Sequence, residues 1–319
     1  MKPFAFVFPG QGSQSVGMLD AWGDNPIVAQ TLQEASDALG EDIAALIKNG
    51  PKEALALTTN TQPVMLVSAV ATYRVWLAET GLVPSVVAGH SLGEYSALVA
   101  SGVLTLAQAA PLVRLRAQAM QDAVPVGQGA MAAILGLDAT KIIAVCAEIT
   151  SANGLNGSVQ AANFNDPGQT VISGSKAAVD AACEQLKAAG AKRALILPVS
   201  APFHSQLMRP AAEKLQEALK SITFAAPQIP VVNNIDVSVQ TDAAAIKDAL
   251  YRQAFGPVRW VECIAAIKAR GLSDGLTTIV ECGPGKILAG LVKRIDAELT
   301  GAALFDPASL AEVKALVQG

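Results

Sequence analysis

Apolar positions follow two rhythms along the chain. Short unbroken runs rich in Val, Ile, Phe and Ala alternate with longer stretches in which apolar residues return at helical spacing. That alternation predicts strands joined by crossover helices, the grammar of an α/β protein. Phe4 to Phe8 reads as the first strand. Asn25 and Pro26 suit the cap and first turn of a helix that Gly40 should end. Helices are then predicted over Thr61 to Gly81, Leu92 to Ala100 and Thr105 to Gln121, with a buried strand over Ser85 to Ala88. Pro125 to Gly129, with one Pro and two Gly, marks a boundary. Beyond it the order becomes strand (Ala130 to Leu135), helix (Lys141 to Ile149), strand (Val159 to Asn163), strand (Thr170 to Ser173), helix (Ala177 to Ala189) and strand (Ala194 to Leu197). This βαββαβ order is the split unit of ferredoxin-like folds. The chain then returns with strands near Val231 and over Thr277 to Val280, and helices near Ala211 to Leu219, Ala243 to Tyr251, Val258 to Ala269 and Ile287 to Glu298. The expected architecture is a large α/β-hydrolase-like domain with a parallel sheet, residues 1–125 and 199–319, carrying an inserted small ferredoxin-like domain, residues 126–198.

Composition narrows the function classes. Hydrophobic residues make up 51% of the 319 and charged residues 16%, enough apolar surface to build a large core and exclude a mainly disordered chain. The 23 Lys and Arg against 27 Asp and Glu leave a net charge of −4, and aromatics are only 4%, so no nucleic-acid partner is expected. Two charge-free windows, Ala54 to Tyr73 and Tyr95 to Val113, are long enough to suggest a membrane span. Asn60, Gln62, Pro63 and Gln108 interrupt them, and buried helices are expected instead. Four cysteines without a CxxC pair, and only two histidines, predict free thiols in a reducing compartment and no metal site. The apolar opening is cut short by Pro9 and Gly10, which disfavours a secretory signal and points to the cytoplasm.

One motif stands in a chemically meaningful place. Gly89, His90, Ser91, Leu92 and Gly93 spell GxSxG between a predicted strand and a predicted helix, the setting of a nucleophile elbow. The glycines answer a crowding problem, because a serine on so sharp a turn brings neighbouring backbones too close for a Cβ. A serine needs a base to become nucleophilic near neutral pH. His90 adjoins Ser91 on the turn, where neighbouring side chains diverge, so His204 is the base candidate by elimination. Asp166, Asp180, Glu184, a backbone carbonyl or a side-chain amide could orient its second ring nitrogen. The loop Phe8 to Gln14 is glycine-rich after a strand, but Ser15 stands where a dinucleotide fingerprint needs glycine. An amide in this loop, paired with that of Leu92, suits a developing oxyanion better. Gly283 to Lys286 lacks nucleotide-loop spacing and reads as a strand-to-helix turn. Arg114 and Arg116 lie in an otherwise apolar helix, where a buried cation needs an anionic partner. Periodicity does not choose between them.

Taken together, FVFPGQGSQ, NTQPVMLVSAV, GHSLGEYSALVASG, LVRLRAQAMQDAVP, GAMAAILGL, NDPGQTVISG, APFHSQLMRPAAEKL and ECGPGKIL resemble the malonyl-CoA:acyl carrier protein transacylases of bacterial fatty-acid synthesis, across nearly the whole chain. The resemblance implies a dyad of Ser91 and His204, the imidazole oriented by the backbone carbonyl of Gln253. It implies that Arg116, not Arg114, pairs with the malonyl carboxylate, and that Gln11 and Leu92 supply the oxyanion-hole amides. It implies that Phe203 restricts the acyl pocket against an α-methyl group. The implied partners are malonyl-CoA and acyl carrier protein, with no cofactor, no membrane partner and a monomeric enzyme. Two rivals remain: an esterase or thioesterase using the same elbow, and a catalytically silent acyl-binding scaffold. The usual hydrolase order places its histidine late in the chain, whereas here more than a hundred residues follow His204.

Overall fold

The computed structural model describes residues 2–271 and 275–319. It is a mixed α/β protein with a five-stranded parallel sheet and a separate four-stranded antiparallel sheet. β1 (Phe4–Phe8) is central in the parallel sheet, between β2 (Val86–Gly89) and β8 (Thr278–Cys282). β7 (Val231–Val232) extends the sheet beyond β2, and β9 (Thr300–Leu304) extends it beyond β8. Every residue of β1 is buried, as a central parallel strand covered on both faces requires. Its side chains alternate. Phe4, Phe6 and Phe8 meet Tyr73 and Trp76 of α4 (Thr58–Thr80) edge-to-face, while Ala5 and Val7 join the core under α11 (Trp260–Gly271) and α12 (Ile287–Ile295).

Local signals set several element ends. In α1 (Pro26–Leu39), Asn25 Oδ1 accepts from the amides of Ile27 and Val28, and Gly40 ends the helix at φ 67°. The apolar windows form α4, α5 (Gly93–Ala100) and α6 (Leu106–Asp122). No helix among the described residues is long and apolar enough to cross a membrane.

The antiparallel sheet has the order β4-β5-β3-β6, from β3 (Gly129–Leu135), β4 (Val159–Asp166), β5 (Gln169–Ser175) and β6 (Arg193–Ile196). Ala130, Ala132 and Ile134 pack against α7 (Ala139–Asn153) and α8 (Lys176–Ala188) in a core of their own. Met131 and Ala133, on the opposite face of β3, join the main core. The antiparallel sheet also bonds through backbone to Val258, just ahead of α11. The Phe164 amide donates to Val258 O (2.9 Å) and the Val258 amide to Ala162 O (2.8 Å). Val258 therefore lies outside the helix expected to begin there, because its backbone groups are committed to β4. All four cysteines are free and buried.

Candidate active site

The turn between β2 and α5 holds Ser91 at φ 53°, the left-handed region that residues bearing a Cβ seldom enter. Packing explains its flanking glycines. A Cβ on Gly89 would lie 1.9 Å from backbone atoms of Gly93, and one on Gly93 would lie 2.0 Å from Phe8 O. Neither glycine has a positive φ, so close approach and not conformational freedom selects the residue type. Gly93→Ala is expected to exceed the ~1–3 kcal/mol of ordinary overpacking. It should lower Tm by several degrees or abolish folding, and an unchanged Tm would contradict the steric reading.

Ser91 Oγ lies 2.6 Å from His204 Nε2. His204, 113 residues along the chain and also at positive φ (59°), sits in the segment before α9 (Arg209–Lys220). Its Nδ1 faces two backbone carbonyls, Gln253 O at 2.9 Å and Gly256 O at 3.1 Å. Those oxygens only accept, so in the neutral imidazole the proton resides on Nδ1 and the Nε2 lone pair is left for the serine hydroxyl. The candidate carboxylates lie elsewhere: Asp166 accepts from the Gly168 amide and faces Arg294, Asp180 pairs with Lys176, and Glu184 is exposed. The other histidine is turned away. His90 Nε2 lies 2.9 Å from Asn165 Oδ1, and its ring packs on Trp260.

The two arginines of α6 separate clearly. Arg114 is half-buried, bonded to Thr59 O and Asn60 and paired with Glu41. Arg116 is 2% exposed and donates to Ser91 Oγ (3.2 Å), Gln62 Oε1 (2.7 Å) and Gln253 Oε1 (3.0 Å). Its Nε has no partner among the described residues, leaving a buried donor open. Gln62 Nε2 in turn reaches Gln11 Oε1 at 3.3 Å, bringing the glycine-rich loop beside the same centre. The backbone amides of Gln11 and Leu92 have no acceptor among the described residues. Phe203 is buried in the main core next to His204.

Burial lowers the His204 pKa to about 3, with the nearby Arg116 charge adding to it and the Gln253 carbonyl opposing. The imidazole is thus neutral, as a base must be, well below its ordinary range. Glu94, wholly enclosed at the start of α5, moves the other way, to about 7, chiefly by burial. Its Oε2 accepts from Gln253 Nε2 (3.0 Å) and from the Asn234 amide (2.9 Å). Gln253 therefore bridges the buried carboxyl and the buried guanidinium through its side chain while its carbonyl faces the histidine.

Sequence reasoning missed Gln62, Glu94 and Asn234. For Gln62 a signal existed, a polar residue inside a charge-free helix. Glu94 directly follows the GHSLG motif. Nothing local marks Asn234.

The chain is similar to known proteins along nearly its whole length. Residues 5–298 match the acyl transferase domain family. The malonyl CoA-acyl carrier protein transacylase of Salmonella typhimurium is 54% identical, over 97% of this chain and 98% of the relative. The crystal structure of acyl-carrier-protein S-malonyltransferase from Burkholderia pseudomallei is 62% identical, with a TM-score of 0.94 over 99% of this chain and 100% of that one. A type II PKS acyl-carrier protein in complex with its malonyl-transacylase supplies a third relative, 50% identical with a TM-score of 0.94, covering 99% of this chain and all of that one. The nucleophile-elbow motif and the match along nearly the whole length lead to one conclusion: the chain belongs to the acyl transferase domain family, among the malonyl-CoA:acyl carrier protein transacylases.

Proposed function

We propose that this protein moves a malonyl group from malonyl-CoA to the pantetheine thiol of acyl carrier protein, through a malonyl ester on Ser91, in fatty-acid biosynthesis. The 2.6 Å contact between Ser91 Oγ and a neutral His204, with Arg116 buried against the same oxygen, carries the reading. His204 Nε2 takes the hydroxyl proton as Ser91 Oγ attacks the thioester carbonyl. The amides of Gln11 and Leu92 receive the resulting oxyanion. Collapse breaks the C–S bond, and His204 returns the proton to the departing thiol. The carrier's thiol then gives its proton to His204 and attacks the serine ester, and Ser91 leaves protonated. Both half-reactions use one base, so ping-pong kinetics are expected.

Arg116 holds the distal carboxylate of the malonyl group, for which a guanidinium has the matching planar geometry. The Gln253 and Gly256 carbonyls keep His204 in the Nδ1–H tautomer without a third acid. Phe203 limits space at the α-carbon. The order of the antiparallel sheet supports a ferredoxin-like unit over residues 126–198, inserted into a larger domain of hydrolase-like character, with the dyad drawn from the larger part.

Intact-mass measurement after mixing with malonyl-CoA, then with carrier protein, tests the activity. A stable malonyl adduct discharged by the carrier is expected. An adduct lost to water at the same rate without carrier would make the protein a thioesterase, and no adduct would leave an acyl-binding scaffold.

A further inference from the structure

Three non-glycine residues among those described have positive φ, and two of them are Ser91 and His204. Each is gripped by a side-chain amide in the same way. Asn234 Nδ2 donates to Gly89 O (2.7 Å) and its Oδ1 accepts from the Ser91 amide (2.7 Å). Gln160 Nε2 donates to His204 O (3.1 Å) and its Oε1 accepts from the Gln206 amide (3.0 Å). In both cases one primary amide takes the carbonyl of a residue and the N–H of the residue two further on. That is the pair of groups a neighbouring strand would engage, supplied where the strained backbone cannot continue a ladder.

The two grips come from opposite sides of the site. Asn234 follows β7 just past its last pairing with β2, Val232 beside Ala88, so its side chain prolongs a ladder the main chain has left. Its own amide is anchored on Glu94. Gln160 projects from β4, the strand that also bonds to Val258 near the Gln253 and Gly256 carbonyls. Thus one amide fixes the nucleophile to the parallel sheet, and the other fixes the base to the antiparallel sheet.

We propose that Asn234 and Gln160 are positioning residues, a matched pair of amide clamps that hold Ser91 and His204 in their left-handed conformations and so set the 2.6 Å contact between them. The inference rests on reading Ser91 and His204 as nucleophile and base. Misplacement by about 1 Å can cost on the order of 100-fold in rate, so either clamp has kinetic leverage without touching substrate.

The test uses Gln160→Met and Asn234→Leu, which keep bulk and remove both bonds, with self-acylation by malonyl-CoA followed by rapid quench. For each, kcat is expected to fall about 10- to 100-fold while KM stays within about two-fold. The pH profile separates the two. Arg116 of α6 and His90 on the elbow are the charged or titratable neighbours acting on His204. Freeing the histidine loop in Gln160→Met should admit water and move the half-maximal pH upward, toward the ordinary imidazole value. Asn234→Leu should leave it in place. Where either variant does not fold, Gln160→Glu and Asn234→Asp keep size and acceptor while removing the donor, with a smaller loss of kcat in the same sense. Folded variants with lowered Tm but wild-type kcat and an unmoved profile would overturn the clamps. A wild-type protein that is not acylated at Ser91 would instead overturn the underlying reading.

Discussion

His204→Ala is expected to slow acylation of Ser91 by about 10²- to 10⁴-fold, the range associated with a positioned general base. It should slow discharge to carrier protein by a similar factor, since the proposed mechanism uses the same nitrogen in both steps. Stopped-time mass spectrometry of the acyl ester reads both rates separately. The pH dependence of the wild type adds a second expectation. Acylation needs the neutral imidazole, whose pKa is lowered from 6.5 to about 3 by burial and by Arg116. The rate should therefore stay level through pH 6.5, with no loss as the pH falls to about 5. The linkage to stability has the matching sign. The unfolded chain takes a proton at His204 below 6.5 that the native protein refuses until about 3. Stability from this group is complete above 6.5 and is withdrawn as pH falls across that window. Glu94 acts oppositely: raised from 4.5 to about 7, it favours the fold at acid pH and loses that contribution as pH rises through 7. A rate falling through pH 6.5 would show that the base is solvated.

Arg116→Ala should act on choice of cargo. Leaving a carboxylate in a buried site without its partner costs about 2–5 kcal/mol, which is roughly 30- to 5,000-fold in kcat/KM for malonyl-CoA. Acetyl-CoA has no such carboxylate. Its transfer should lose only the contribution of the broken bonds to Ser91, Gln62 and Gln253. The malonyl-to-acetyl ratio of kcat/KM should narrow accordingly, and Arg116→Lys should not restore it, because an ammonium lacks the planar fork. An unchanged ratio would remove Arg116 from carboxylate binding. Arg114 offers an internal contrast, since its guanidinium is already engaged by Glu41, Asn60 and Thr59.

Much of the framework is legible in the sequence because it is local. The apolar run Phe4 to Phe8, the Asn25 cap, the Gly40 stop and the strand–GHSLG–helix passage each place the deciding atoms within a few residues. Elements that depend on distant partners are not. The short helices α2 (Ile43–Asn49) and α3 (Lys52–Ala56) hold too few turns for a period to emerge. β9 and α13 (Pro307–Gln318) lie outside the expected elements, and the helix expected to reach Glu298 stops at Ile295 so that the chain can enter β9. The site divides in the same way. Ser91 announces itself by its glycines, and His204 by the scarcity of histidine. The choice of Arg116 over Arg114 comes from family resemblance, because two residues separated by two on an apolar helix differ only in what the rest of the fold places around them. Asn234, 143 residues from Ser91, carries no local mark of its role.

The most direct measurement is peptide mapping of the malonyl ester after rapid quench, in the wild type and in Ser91→Ala. A single ester on the peptide containing Ser91, formed within the first turnover and missing from Ser91→Ala, is the expected result. An ester on another residue, or malonyl transfer that continues at the wild-type rate in Ser91→Ala, would contradict the account.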